Sequence, residues 1–309
     1  MNKSTNEFLE EAKKLLIESD LKAKEGDLAY ELQSCSLRSH IDELENKVRI
    51  ENIGRGYELL DFRMIVDSFQ PGSVPLDIVA KIADEFRKMF GHAAHRLVQV
   101  GAEKKKVPNS IYKNLNLRLM GILPGSTRLL ISAISNRDLF DEGLAKNTIE
   151  RFINVLETYG EGDKFLEAIM DLGPSSAKNL KDLFNTINSL SGALEINWKH
   201  EGHTIRNWIA SPEQVSRITS ALGSTKIKKE TENLVHGTIE LLSKRERIHL
   251  RTDKGNLIRI LFPIKLLEEV ESLHLNQKVF LLCNITQTEN PLTNESIQYY
   301  ELVNIENNQ

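Results

Sequence analysis

The first fifty residues show the apolar spacing of amphipathic helices. Apolar side chains recur three and four positions apart, which is the period of one helix face. They fall at Leu9, Ala12 and Leu16, and again at Ile41, Leu44 and Val48. Gly26 interrupts the pattern, and the second group has a heptad-like spacing. The pattern predicts a helical amino-terminal arm over residues 1–50, packed either on the rest of the chain or against a partner.

Residues 51–224 alternate between strand-like and helical patterns. Five runs have the apolar and β-branched character of strands, at 59–66, 117–122, 128–132, 194–198 and 204–209. The first two run into Pro-Gly pairs at 71–72 and 124–125, which suit type II turns. The segments between the runs carry helical spacing, above all over 138–191. We therefore predict a central mixed α/β domain with about five strands.

The pattern changes again after the charged stretch at 226–230, which is suited to a domain linker. Strand-like runs follow at 236–242, 247–251 and 257–262, then a short helical segment and two more strands. Their lengths, their order and the inserted helix predict a small β-barrel of the OB type over 233–309. The predicted fold class is α+β, with a helical arm, a central domain and an OB-like barrel.

Composition and charge exclude several classes of protein for this chain. The 309 residues are 40% hydrophobic and 27% charged, with a net charge of −4, so any site for a polyanion has to be a local patch. The two cysteines exclude a disulfide framework and a cysteine-based zinc site, and they favour a reducing compartment. Because the first residues lack the apolar core of a signal peptide and no apolar run could span a bilayer, we expect a cytoplasmic protein that does not enter membranes.

The first candidate binding surface lies on the predicted barrel. Strand alternation directs Ile248 and Leu250 inward and their neighbours outward, and the following turn and strand add further cations. The basic set is Arg247, His249, Arg251, Lys254 and Arg259. OB-type barrels bind single-stranded nucleic acid through such faces, usually with aromatic platforms. These strands lack such aromatics, and residues 233–309 carry eight Lys and Arg against ten Asp and Glu, so an ordinary solvated face is the alternative.

A second candidate is the run Asp171-Leu172-Gly173-Pro174-Ser175-Ser176-Ala177-Lys178-Asn179-Leu180. It resembles the hairpin and second helix of helix-hairpin-helix DNA-binding elements. The resemblance implies that a phosphate is held near Gly173, Ser175, Ser176 and Lys178, where a helix start presents free N–H groups. Asp171 stands where the family has its first glycine, which puts a carboxylate near that phosphate. The alternative is a plain helix start with Pro174 in the first position.

The histidines form two pairs that are candidates for metal ligands. His92 and His95 share one helix face, and His200 and His203 flank a predicted hairpin turn. Zinc requires three or four converging ligands, and neither pair has an obvious third. The sequence also lacks the nucleophile elbow, the phosphate-binding loop and the dinucleotide fingerprint. We therefore predict no cofactor and no metal, and the alternative is a metal site assembled from both pairs.

Three hypotheses of function follow. The first is a non-enzymatic bacterial binding or accessory protein whose barrel engages nucleic acid or a protein partner, as a subunit of a larger complex such as a defence system. The second is a metal-assisted hydrolase whose site is assembled from distant His and Asp residues. The third is a scaffold that associates with itself or with a partner protein through residues 6–50.

Overall fold

The computed structural model of the chain describes residues 5–24, 26–53, 57–69, 73–99, 106–123, 127–134, 143–200, 203–228, 230–243 and 247–306. The helices are α1 (Thr5–Ala23), α2 (Leu28–Ile53), α3 (Leu76–Val98), α4 (Asn109–Leu115), α5 (Leu144–Glu157), α6 (Asp163–Leu172), α7 (Pro174–Ser189), α8 (Pro212–Ser224) and α9 (Leu267–Glu271). The strands are β1 (Tyr57–Ile65), β2 (Arg118–Leu123), β3 (Thr127–Ile134), β4 (Ala193–His200), β5 (His203–Ala210), β6 (Lys226–Ile227), β7 (Thr231–Ser243), β8 (Arg247–Thr252), β9 (Leu257–Leu261), β10 (Lys278–Asn290) and β11 (Glu295–Glu306). The predicted α+β class is confirmed.

The central sheet has five strands in the order β2-β3-β1-β4-β5. Its pairs are antiparallel, and Phe62 in the middle strand lies opposite Leu129 on one side and Ile196 on the other. Alternate residues of β1, at Leu60, Phe62 and Met64, are buried in the core. The mixed domain of about five strands is thus as predicted, whereas the Pro-Gly pairs at 71–72 and 124–125 lie outside the described residues.

Helices α3, α5 and α7 supply the other half of this core. The apolar face of α3 carries Phe86 and Phe90, whose ring centroids lie 5.6 Å apart. Phe86 also meets Phe62 of the sheet edge to face at 4.9 Å. Helix α8 begins with a capping box, in which Ser211 and Gln214 exchange side-chain and backbone hydrogen bonds. A local capping signal therefore marks the start of α8, and aromatic contacts hold α3 against the sheet.

The carboxyl-terminal sheet closes into a barrel. The order is β11-β9-β8-β7-β10, and β10 pairs back with β11. The β9–β11 pair is parallel, and α9 lies between β9 and β10 in the chain. Ile239, Leu250 and Leu281 are fully buried inside. The predicted OB-like barrel is confirmed, and the short β6 from the predicted linker adds to its β10 edge.

The arm is a hairpin of α1 and α2. Ion pairs Lys13–Glu45 and Asp20–Arg38 show that the two helices run in opposite directions. Their small core contains Leu9, Ala12, Ile41 and Leu44. Within the ranges given above, no helix has the length and apolar character needed to cross a membrane.

Candidate functional site

The predicted basic residues of the barrel lie on one face. In β8, Ile248 and Leu250 are buried, so the intervening side chains of Arg247, His249 and Arg251 point outward, as predicted. The register of β8 with β9 pairs His249 with Arg259, which puts both on the same side of the sheet. Lys254 lies exposed in the turn between these strands. We call this set, Arg247, His249, Arg251, Lys254 and Arg259, the basic face.

One end of the basic face is covered by the central domain. Leu261 of β9 and Tyr299 of β11 pack against Met170 of α6. Nearby, Arg96 of α3 donates to Glu301 of β11 at 2.8 Å, and both side chains are buried. Burial, together with the charge of Asp171, raises the pKa of Tyr299, which keeps its hydroxyl protonated. The apolar contact and the buried ion pair fix this end of the barrel.

Asp171 is the polar centre of this junction. Its carboxylate accepts hydrogen bonds from Arg247 at 2.9 Å and from the Tyr299 hydroxyl at 3.1 Å. Its backbone carbonyl accepts a third, from Arg151 of α5, at 2.7 Å. The residue that departs from the helix-hairpin-helix pattern therefore binds the barrel. The two candidates from the sequence, the 171–180 run and the basic face, meet at this carboxylate.

The predicted phosphate site at the start of α7 is largely enclosed. Gly173 links α6 to α7 with a φ of 101°, a conformation that favours glycine. Gly173 and Ser176 are buried, and the Ser176 hydroxyl donates to the Met89 carbonyl of α3 at 3.0 Å. Ser175 is half-buried and Lys178 is exposed. This packing favours the plain helix start, because α3 occupies one side of the turn.

A groove extends from the junction between the barrel and α6 along the basic face, and it is lined by Asp171 and Tyr299 of the junction as well. Its volume is about 410 Å³, and it separates α6 from strands β8, β9 and β11. The lining includes Asp163, Glu167, His249, Leu257, Arg259 and Tyr300. Arg259 pairs with Glu167 across the groove, and each side chain is 40% exposed. Sequence reasoning missed Tyr300 and the acidic wall, because neither belongs to the strands that carry the cations.

The charges of the groove act on His249. Burial lowers the pKa of His249, and the positive charges of Arg259 and Arg247 lower it further. The negative charge of Glu240 acts on the pKa in the opposite direction and has the smallest effect. Arg251, at the far end of the face, pairs with Glu240 of β7, and both side chains are partly exposed. An anion that entered the groove would meet Arg259, whose present partner Glu167 is a partly exposed carboxylate.

A second cavity lies on the other side of the Asp171–Arg247 pair. Its volume is about 310 Å³, and it is lined by one polar face of α5 together with Ser243 and Arg247. The α5 residues are Lys146, Asn147, Glu150, Arg151 and Asn154. Their helical spacing marks a polar face in the sequence, but no sequence signal shows that this face meets the barrel.

The histidine pairs have separate surroundings. His200 and His203 lie opposite each other in the β4–β5 register, as predicted. His200 Nδ1 is 2.6 Å from Glu58, whose carboxylate also accepts from Trp198 Nε1 at 2.7 Å. His95 is buried on α3. In the described part of the chain, no three His, Cys, Asp or Glu side chains are grouped to hold a metal ion.

No protein-family model, curated protein or solved structure matches this chain.

Proposed function

We propose that this chain is a non-enzymatic binding protein whose barrel engages single-stranded nucleic acid as an accessory subunit. The observation that carries the proposal is the exposed part of the basic face. There His249, Arg251 and Arg259 lie on two adjacent strands of an OB-like barrel, and Lys254 lies in the turn between them. His249 and Arg259 line an open groove. Backbone phosphates would follow the cations, and bases would enter the groove.

The carboxylates that pair with these arginines compete only weakly with phosphate. The pairs Arg259–Glu167 and Arg251–Glu240 are between a third and a half exposed. Exposed pairs of this kind contribute about 0–1 kcal/mol, since water screens them. A phosphate offers arginine a bidentate contact, and a polyanion offers several at once. We therefore expect nucleic acid to displace Glu167 and Glu240.

Arg247 has a different part in this proposal. Its partner Asp171 is only 16% exposed and also accepts from Tyr299. Removing Arg247 would disturb the contact between the barrel and α6. We assign it a positioning role and assign phosphate contacts to Arg251, Lys254 and Arg259. Leu257, which is 53% exposed, supplies the groove with apolar surface for the bases.

The proposal is tested by fluorescence anisotropy with labelled single-stranded and duplex DNA and RNA, at low and physiological salt. We expect saturable binding of single strands that weakens as salt rises. Arg251→Ala with Arg259→Ala should reduce affinity about tenfold or more, because each charge-assisted contact contributes about 1 kcal/mol or more. In this double variant, the slope of log affinity against log salt concentration should decrease in magnitude by about two.

Two sets of controls sharpen the result. Lys265→Ala with Lys278→Ala removes the same charge from exposed positions of the barrel outside the basic face, and should leave affinity nearly unchanged. Glu167→Gln keeps the shape of its side chain, removes a competing charge, and should tighten binding. Absence of binding at low salt, or equal losses from both double variants, contradicts the proposal.

A further inference from the structure

Two aromatic rings lie stacked on the outer side of the barrel, on strands that the basic face does not include. His236 of β7 and Phe280 of β10 are paired in the register, so both side chains are on the same side of the sheet. Val279 and Leu281, the neighbours of Phe280, are buried in the core, so the two rings point outward. The ring centroids are 5.7 Å apart, and the angle between the ring planes is 20°. We call His236 and Phe280 the stacked pair.

The stacked pair is held at its edge and remains accessible to solvent. His236 Nε2 lies 2.8 Å from Asp253 Oδ2, and the His236 side chain is 55% exposed. Phe280 is half-buried. Because the contact with Asp253 is made by a ring nitrogen, it orients the imidazole without covering either of its faces. A further flat ring can therefore extend the stack from the exposed imidazole.

The stacked pair adjoins Arg251 of the basic face. The register between β7 and β8 pairs Arg251 with Thr238, which is two positions from His236 and so shares its side of the sheet. Gly237 allows the two strands to approach closely here, since a Cβ at this glycine would collide with the Arg251 carbonyl oxygen. Arg251 and the stacked pair thus lie side by side on the outside of three adjacent strands, β8, β7 and β10.

The stacked pair supplies a kind of side chain that the basic face lacks. Proteins that bind single strands combine a basic surface, which follows the backbone, with aromatic side chains on which bases stack. Strands β8 and β9 contain no Phe, Tyr or Trp. The carboxylates of Asp253 and Glu306 flank the stacked pair, because Asp253 contacts one ring and Glu306 of β11 pairs in register with the other. The contact expected at the rings is therefore with an uncharged base, since a phosphate would be repelled.

We infer that the stacked pair is the platform for a base of a single strand whose phosphates bind Arg251 and Lys254. This role rests on the proposed function, because it requires that the basic face holds the backbone of the strand. It extends the binding surface from β8 and β9 across β7 to β10.

The test is fluorescence anisotropy with a labelled single-stranded DNA and with an abasic strand of the same length, over a range of salt concentrations. Phe280→Leu keeps an apolar side chain and removes the ring, so it should weaken binding of the DNA about fivefold or more. The slope of log affinity against log salt concentration should stay as in the wild type, because stacking releases no counterions. The abasic strand should bind the wild type and this variant equally.

A second variant reports on stacking directly. Phe280→Trp should keep the affinity of the wild type, and bound DNA should quench the emission of the added tryptophan, because the base lies on its ring. The matched control is Leu292→Trp, at a 68% exposed position beyond the other end of β10, and its emission should change little. Circular dichroism should show that the variants are folded. If Phe280→Leu fails to fold, the quenching at position 280 decides the question.

The outcomes separate this platform from the proposed function. If Arg251→Ala with Arg259→Ala weakens binding but Phe280→Leu leaves it unchanged, the platform is overturned and the proposed function stands. An equal loss of affinity for the abasic strand would also overturn the platform, as would equal quenching at positions 280 and 292. A wild type that binds no single strand overturns both.

Discussion

The barrel and the arm are two small units that bury their apolar side chains in different ways. The barrel closes its sheet, so each of its five strands pairs on both sides and the inward-pointing apolar residues form one enclosed core. The arm consists of two paired helices, which are joined by the ion pairs Lys13–Glu45 and Asp20–Arg38. Phe8 and Leu15 of the arm are about half-exposed. The difference shows that a closed sheet encloses the core of a small unit on all sides, whereas two paired helices enclose only the seam between them.

The largest effect should come from the core of the barrel. Leu250→Ala removes a fully buried side chain from the closed core, so the free energy of unfolding should fall by about 3 kcal/mol. Urea denaturation followed by circular dichroism measures it. Leu44→Ala in the arm is the comparison, and it should reduce arm helicity while the main transition stays in place. If both changes shifted the main transition equally, arm and barrel would not be the separate cores described above.

A smaller effect is expected where the barrel joins the central domain. Asp171→Asn keeps the shape of the side chain but removes the charge that accepts from Arg247 and Tyr299. Because hydrogen bonds to a charged group contribute about 1.5–3 kcal/mol, we expect a loss of about 1–2 kcal/mol in unfolding free energy. Asp253→Asn, an exposed position in the barrel turn, is the control and should cost much less. Equal losses would mean that Asp171 does not fix the barrel.

The smallest effect concerns the two cysteines, one in each unit. Burial raises the pKa of the Cys283 thiol to about 12, so at pH 8 the reactive thiolate is scarce in the folded barrel. Cys35 is exposed on the arm. A maleimide should therefore label one thiol of the native protein and two after unfolding in urea. Cys35→Ser should abolish native labelling, and rapid labelling of Cys283 in that variant would show that the barrel opens readily.

Within single elements, local patterns of residues were a reliable guide to structure. Alternation in β8 correctly separated Ile248 and Leu250 from Arg247 and His249, because successive strand residues face opposite sides. The spacing of Leu9, Ala12, Ile41 and Leu44 correctly marked the seam of the arm. Local patterns did not predict which side chains of separate helices and strands contact each other. The resemblance around Gly173 was a local match too, and it did not reveal that α3 packs on the same turn.

The sequence by itself determined the α+β class, the barrel in the carboxyl-terminal region, and the inward-facing side chains of β8 and of the arm. These follow from periods of about two and 3.6 residues, which act over short stretches of chain. Only the tertiary structure decided that Arg247 meets Asp171, 76 positions away, and that Arg259 meets Glu167, 92 positions away. Such contacts depend on how separate elements pack, and a charged side chain carries no local pattern that identifies its distant partner.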